Sequence, residues 1–515
     1  MKRKRALSLA IPWGLLIWAL PGQAQAGCPQ VLAALADKMA DVTCFASADL
    51  TTNNPATTPA NNSIAGLPVG AFTPQTDRSA ISPDPPNRTP ITRSVPGIQV
   101  NGRFADDATG QARFLLRLPD DWNGRLVVAG ASGPRGEFNG DFVWSDYVLQ
   151  KGYAYASQNK GALALRFVSL ASATPPPTDP APCRLNPASG IWIHFFSDDP
   201  EKPFTQWTLY MINAARLAQK AVKANFNHHA RRTYAVGTSN GGYQVRRAME
   251  EAPDLFDGGV DWEGTFVDPR GPNPLIDLPP AIANFPAYAA SGFDRNSPAA
   301  KNILAAGYPP DIVSGGKSFW GLHWGQVWEV TQCNWQKRFD ASWTTYVDGP
   351  NNVDGTGGYD YFARVAVDPS ILAGVAAVAT TGNIKRPLIT VAGTMDALLP
   401  IKRSARAYEA VVKASRKGDD DGEEDGDEDR EEHGEEHRKA QYRLYEVQNG
   451  NHFETLKSAF PQLELIQPHA QRAFDLLVDH VEQKAPLPPS QCIPRGGTIA
   501  PHPTEPGHCV SLLAP

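Results

Sequence analysis

Gly237-Thr238-Ser239-Asn240-Gly241 sets a hydroxyl between two glycines in the pattern G-x-S-x-G. At a sharp strand-to-helix turn this pattern holds the Ser in a strained backbone with its Oγ exposed, while the glycines avoid a collision between strand and helix. A Ser hydroxyl is a weak nucleophile and needs a base. With this type of elbow the partners follow in the chain order Ser, acid, His. Asp396 lies in Gly393-Thr394-Met395-Asp396, just after the apolar run Leu388 to Ala392. His452 lies in Gln448-Asn449-Gly450-Asn451-His452, just after Tyr442 to Val447. Asp396 would orient the imidazole, and His452 would take the Ser proton and return it to a leaving alcohol. His433, His437, His469 and His480 fall in the wrong places for that role. The oxyanion needs N–H donors already in place. Asn240 supplies one, and the loop Gly130-Ala131-Ser132-Gly133 supplies the other, at Ala131 or Ser132.

The surrounding pattern says which elements hold these groups. Strand-like runs occur at Ala112 to Leu118, Arg125 to Gly130, Tyr153 to Ser157, Thr233 to Val236, Gly259 to Trp262, Leu388 to Ala392 and Tyr442 to Val447. Helical patterns cover Trp207 to Ala224, Gly241 to Glu251, Ser404 to Ala414 and Pro468 to Gln483. Strands alternating with helices predict an α/β fold with a mostly parallel sheet and helices on both faces. Residues 265–380 break the rhythm and are rich in Pro, Gly and Trp, so they are expected to be a large inserted lid. Within it Trp320, Trp324 and Trp328 are spaced four apart, on one helix face. They are expected either to pack the lid onto itself or to wall a pocket for an apolar acyl group.

The expected organisation is a signal peptide at 1–26, an irregular arm at 27–110, core segments at 111–264 and 381–485, and a disulfide-held tail at 486–515. Lys2, Arg3, Lys4 and Arg5 precede an apolar run from Ala6 to Leu20 and then Ala24-Gln25-Ala26, the pattern of a cleaved export signal. Six cysteines in an exported chain predict disulfides. Nearest-neighbour pairing gives Cys28 with Cys44, Cys183 with Cys333 and Cys492 with Cys509, although spacing alone does not choose among the pairings.

The formal charge of −6 is misleading, because residues 418–437 carry thirteen acids and one Arg and leave the rest of the chain at +6. Four of those positive charges belong to the basic start, so no sustained basic surface remains for nucleic acid. The acidic stretch 416–439 is expected to be a solvated, disordered loop. Its near match to a calcium loop, from Asp421 to Glu432, has Glu423 at the wrong position and no flanking amphipathic helices.

Gly237-Thr-Ser-Asn-Gly-Gly242, Glu250-Glu-Ala-Pro-Asp-Leu-Phe-Asp-Gly258, Ala392-Gly-Thr-Met-Asp396 with Leu-Leu-Pro400, and Gly450-Asn-His452 resemble segments of the tannase/feruloyl esterase family of α/β-hydrolases. The resemblance spans about residues 110–485. It implies a secreted esterase acting on phenolic esters, with the lid over the acyl pocket. Some members hold structural calcium in the lid, for which Asp348, Asn352, Asp354 and Asp360 are candidates. Where the family has a Cys before the nucleophile and after the His, this chain has Thr238 and Phe453. A second resemblance is to 3-hydroxybutyrate oligomer hydrolases, carried by Asp146-Tyr-Val-Leu-Gln-Lys-Gly-Tyr-Ala-Tyr-Ala-Ser-Gln-Asn-Lys-Gly161 and Ser239-Asn-Gly-Gly242.

These features together predict a secreted or periplasmic serine esterase that forms an acyl-enzyme on a small or oligomeric ester. It is expected to need no cofactor, to bind no nucleic acid and to keep no membrane insertion once the signal is cleaved. The rival from another class is a non-catalytic binding protein on a hydrolase scaffold.

Overall fold

A computed structural model describes residues 27–57, 64–65, 89–133, 135–138, 141–162, 165–167, 183–184, 191–193, 205–340, 342–343, 358–420 and 441–515. The expected signal peptide lies outside these residues, as does most of the acidic stretch.

Ten strands form the main sheet. In chain order they are β1 (Met39–Ser47), β2 (Gly97–Phe104), β3 (Arg113–Pro119), β4 (Arg125–Ala129), β5 (Ala154–Gln158), β6 (Arg232–Thr238), β7 (Gly258–Trp262), β8 (Leu388–Gly393), β9 (Tyr442–Val447) and β10 (Gln491–Ile493). Their order across the sheet is β1-β2-β3-β5-β4-β6-β7-β8-β9-β10. The pairs among β1, β2, β3 and β5 are antiparallel. From β5 to β10 every pair is parallel. This is the α/β-hydrolase fold: an antiparallel start, one exchange of order at β5-β4, then a run of parallel strands.

Parallel strands linked by crossover helices are covered on both faces, so they read as continuous apolar runs. In β4, Leu126 and Val128 pack on one side with Met211, Ala215 and Ala218 of α2 (Thr205–Phe226) and Val245 and Met249 of α3 (Asn240–Glu251). Val127 and Ala129 belong to the opposite core, with Ala470, Ala473, Phe474 and Leu477 of α4 (Gln467–Gln483). The alternation follows from the two-residue period of a strand. Phe474 anchors the second core, with its ring 5.7 Å from Tyr234, 5.8 Å from Tyr153 and 6.2 Å from Trp144. Fully burying such a side chain contributes about 1.5–3 kcal/mol.

Two expectations about the flanks are corrected. The irregular arm is not irregular throughout. A helix at Cys28–Leu35 leads into β1, which pairs with β2 at the sheet edge. A β1 side chain is half-buried at best over most of its length, because one face of this edge strand meets solvent. That mixed pattern hides it in the sequence. The C-terminal tail is also part of the sheet, since β10 pairs with β9 through Tyr445 opposite Gln491 and Val447 opposite Ile493. Three residues are too short a run to announce a strand.

The acidic stretch begins inside a helix, since Ala405–Asp420 is continuous. The expectation of a loop from 416 is therefore corrected for its first residues. All three nearest-neighbour disulfides are present: Cys28–Cys44, Cys183–Cys333 and Cys492–Cys509. Cys183–Cys333 ties a short strand at Cys183–Arg184 to a helix of the insertion, Glu329–Phe339. No described helix is long and apolar enough to cross a membrane.

The insertion between β7 and β8 is largely helical. Its main helix, Pro274–Ala290, packs against a segment that runs from Phe319 to Phe339. That segment changes from α-helix (Phe319–His323) to π-helix (Trp324–Trp328) and back to α-helix (Glu329–Phe339). Its apolar side joins Met395, Ala397, Phe460 and Leu463, which belong to the loops after β8 and β9. The insertion therefore rests on the ends of those two strands.

Candidate active site

The strands β6, β7, β8 and β9 each end in a residue of one cluster. Ser239 follows β6, and its backbone is φ 59°, ψ −122°, a left-handed conformation rare for a non-Gly residue. Such strain persists only where the surroundings over-determine it. Here Ser239 N–H donates to the Trp262 carbonyl at 2.8 Å and Tyr243 N–H donates to the Ser239 carbonyl at 3.0 Å. A Cβ on Gly237 would come within 2.2 Å of the Gly241 carbonyl oxygen, and one on Gly241 within 2.6 Å of the Gly130 carbonyl oxygen. Both positions exclude a side chain, which is the physical content of the motif.

His452 Nε2 lies 3.0 Å from Ser239 Oγ, and its Nδ1 lies 2.9 Å from Asp396 Oδ2. The structure thus brings together the three residues singled out in the sequence. Asp396 has two tasks. Its Oδ1 accepts the N–H groups of Leu398 and Leu399 at 2.8 and 2.7 Å, which closes an Asx-type turn. Its Oδ2 is left to face the imidazole.

A fourth group was not singled out in the sequence. Glu263, directly after β7, is buried and has φ 50°. Its Oε1 accepts the N–H of Gly393 at 2.9 Å, and its Oε2 lies 3.5 Å from His452 Nδ1. Burial holds its carboxyl well above the usual carboxylate range, and the neighbouring charge of Asp396 pushes the same way. The signal that could have found it is an acid at the end of the strand next to the elbow, in Trp262-Glu263-Gly264. Among the described residues, Glu263, Asp396 and His452 form one acid–imidazole cluster whose atoms lie within 4.8 Å of one another.

On the other side of Ser239, Asn240 opens α3 with its N–H at the helix N-terminus, where the backbone favours negative charge. Its side-chain Oδ1 accepts the Thr265 hydroxyl at 3.2 Å. Of the two residues expected to give a second donor, Ala131 has its N–H bonded to Gln244 Oε1 at 2.9 Å. Ser132 follows it. Lys160 lies beneath this loop, fully buried, and its Nζ donates to the carbonyls of Ala131, Ser132 and Arg135 at 3.1, 3.3 and 3.2 Å. Burial pulls its ammonium down to about 7, and Arg135 adds to the shift. Lys160 lies in the Gln158-Asn159-Lys160-Gly161 segment, but a lone Lys in a sequence gives no sign that it is buried.

The insertion meets the site without an aromatic wall from Trp320 and Trp328. Both are fully buried, and their indole N–H groups donate to the carbonyls of Pro309 (3.0 Å) and Ala397 (2.6 Å). They pack the insertion onto itself and onto the turn that holds Asp396. Trp324 is partly buried and stacks on Phe285 at 5.2 Å. The three indoles share one side of the segment: Trp324 and Trp328 meet Phe285 and Trp320 meets Tyr288 at 5.1 Å, all on the main helix of the insertion, as expected if they pack the insertion onto itself. His323 is buried nearby, with Nδ1 2.9 Å from the Phe319 carbonyl and its ring 5.6 Å from Phe453. Burial pulls its imidazole down to about 4, so it stays neutral. Of the calcium candidates, Asp348, Asn352 and Asp354 lie outside the described residues, and Asp360 caps a helix by accepting the Ala363 N–H at 3.0 Å.

Residues 505–514 brace the acid and His loops. Thr394 donates its hydroxyl to the Leu512 carbonyl. Asn449 donates to the Ala514 carbonyl at 2.9 Å and accepts the Ala514 N–H at 2.7 Å. Gln448 donates to the Ser511 carbonyl at 2.9 Å.

No protein-family model matches this chain. It is 34% identical over 133 residues to a D-(-)-3-hydroxybutyrate oligomer hydrolase from Burkholderia thailandensis, a match that covers 24% of this chain and 16% of the relative. The same-named protein of Burkholderia mallei is 33% identical over 131 residues, again over 24% of this chain and 16% of the relative. The chain therefore spans about a sixth of the length of the curated relatives it matches. Among solved structures it is similar to an esterase from Aspergillus oryzae (TM-score 0.49, 12% identity, 89% of this chain and 90% of that one). It is also similar to a tannin acyl hydrolase from Aspergillus niger (TM-score 0.44, 11% identity, 89% and 87%).

Proposed function

We propose that this chain is an exported serine carboxylic-ester hydrolase. The observation that carries the reading is the continuous hydrogen-bonded line from Ser239 Oγ through His452 to Asp396, set on a strained elbow. Ser239 Oγ attacks the ester carbonyl carbon and gives its proton to His452 Nε2. Asp396 keeps the other imidazole proton on Nδ1 and offsets the positive charge that develops. The Asn240 N–H and the loop after β4 receive the oxyanion. His452 then protonates the leaving alcohol, leaving an acyl group on Ser239. Water repeats the sequence and releases the acid. Export is supported by the three disulfides, which persist in oxidising compartments.

For the acyl group, oligomers of 3-hydroxybutyrate stand first, because the curated relatives carry that name. Phenolic esters stand second, supported by the elbow, acid and His segments. The burial of Trp320 and Trp328 in the insertion core removes the reason to expect an aromatic acyl wall there.

The test is product analysis on a 3-hydroxybutyrate oligomer, methyl ferulate and methyl gallate, with labelling by a serine-directed fluorophosphonate. Ser239→Ala is expected to lose on the order of 10⁴-fold or more in kcat with an unchanged melting temperature. A native protein that neither labels nor turns over these esters would return the chain to the binding-protein reading, and full turnover by Ser239→Ala would defeat the serine mechanism.

A further inference from the structure

We propose that Glu263 is a second acid for His452, a positioning residue whose carboxyl can take over the Nδ1–H of the imidazole when Asp396 is removed. This rests on the serine-hydrolase reading above.

Three observations point to it. The first is geometry: Nδ1 of His452 faces two carboxyl groups, Asp396 Oδ2 at 2.9 Å and Glu263 Oε2 at 3.5 Å. The second is the mounting of Glu263. Its backbone is held at φ 50° by the N–H it donates to the Val391 carbonyl at 2.9 Å. Its Oε1 is fixed by the Gly393 N–H, on the strand that leads to Asp396. Both anchors belong to β8, so the carboxyl keeps station with the acid loop. The third is what remains: Oε2 is buried without a well-formed hydrogen bond among the described residues, its polar neighbours being the His452 imidazole and the Trp262 side chain. A buried polar atom left without a partner costs roughly 1–3 kcal/mol, so a structure that keeps one has a use or a strain to explain.

The titratable groups facing Glu263 are His452, Asp396 and Glu454. Asp396 and Glu454 disfavour its negative charge, and burial does so more strongly. With Asp396 ionised, a second carboxylate at this distance would add repulsion without adding a proton acceptor that His452 needs. An ionised Asp396 therefore favours the neutral form of Glu263. Replacing Asp396 by Asn removes one of the charges that keeps Glu263 protonated. Glu263 then loses its proton to solvent, and Oε2 accepts the Nδ1–H of His452. His452 Nε2 remains free to take the proton of Ser239. The tautomer that an Asn would otherwise disrupt is preserved.

The test compares wild type, Glu263→Gln, Asp396→Asn and the double variant, using p-nitrophenyl butyrate and the full chain. Gln keeps an oxygen for the Gly393 N–H, and Asn keeps one for the Leu398 and Leu399 N–H groups. We expect kcat to fall about 10- to 100-fold in Asp396→Asn and about 10⁴-fold in the double variant, the usual loss when the triad acid is neutralised. We also expect the rate of Asp396→Asn to rise with pH as Glu263 ionises, a limb missing from the double variant. Equal rates and equal pH profiles in Asp396→Asn and the double variant would overturn the proposal. If Asp396→Asn does not fold, Asp396→Ser replaces it in the same comparison, since a Ser hydroxyl can close the same turn. Ser239→Ala in each background separates the two readings. Turnover that survives Ser239→Ala defeats the serine mechanism, whereas the comparison of acid variants bears on Glu263 alone.

Discussion

The two sides of Ser239 are stabilised in opposite ways. On the imidazole side, two carboxyl groups face one nitrogen, and both are fixed by backbone N–H groups, Glu263 by the end of β8 and Asp396 by the turn after it. On the oxyanion side, a single buried ammonium gathers three carbonyls of the loop after β4. An ammonium has three N–H donors, and here all three have acceptors. The first arrangement has a spare group, and the second has none. Damage to the imidazole side should be graded, whereas damage to the oxyanion side should be abrupt.

The sharpest way to break this comparison is Lys160→Met, which keeps the length of the side chain and removes its donors. It leaves three carbonyls without their shared partner and lets the loop move. We expect kcat to fall about 100- to 1,000-fold, the scale of a lost oxyanion donor, with a smaller change in KM. The pH profile adds a second readout. Lys160 loses its proton as pH rises through about 7, so wild-type kcat should decline on that side. Lys160→Met should lack the decline. The linkage has the opposite sign for stability. The folded-state value lies below that of an unfolded Lys, so the unfolded chain binds more protons above about 7. The contribution of Lys160 to stability therefore rises from about pH 7 until the unfolded value is passed. Melting temperatures of wild type and Lys160→Met across that window would measure it.

A milder break on the same side is Gln244→Leu. It removes the acceptor of the Ala131 N–H but leaves Lys160 in place. It also removes the bonds from Gln158 and to the Trp207 carbonyl, so we expect a loss of kcat of roughly tenfold or somewhat more, at about 0.5–1.5 kcal/mol per neutral hydrogen bond. A loss as large as that of Lys160→Met would mean that Gln244, not Lys160, sets the loop.

The smallest effect is expected from Glu263→Gln in the otherwise native chain. Burial and Asp396 already favour the neutral form of the carboxyl it replaces, so kcat at pH 7 should fall only about two- to threefold. A loss of 100-fold or more would show that the imidazole side also has no reserve, and the contrast between the two sides would disappear.

The grouping of Ser239, Asp396 and His452 was legible in the sequence because each sits in a local pattern with a fixed chain order. The glycines at 237 and 241 are demanded by contacts under 3 Å, so the motif is close to a statement about sterics. The central strands were legible for a similar reason, since burial on both faces forces unbroken apolar runs such as Leu388–Gly393. What could not be read depends on contacts between distant segments. Glu263 and Lys160 are ordinary charged letters until the fold buries them. Trp320, Trp324 and Trp328 have the spacing of a helix face, but spacing alone leaves open whether that face meets a pocket or, as here, the main helix of the insertion. The strands at Met39–Ser47 and Gln491–Ile493 lie at the two edges of the sheet, where one-sided burial or short length weakens the pattern.

The bracing by residues 505–514 imposes a schedule on the molecule. A ribosome or an export channel delivers the chain from its N-terminus, so Ser239 and the elbow emerge long before Leu512 and Ala514. The turn that carries Asp396 and the loop that carries His452 take their final supports from that late segment. A partly delivered chain can thus assemble the nucleophile's strand and helix while its relay is still unbraced. The acid and His loops gain these supports only once the later segment has joined the fold.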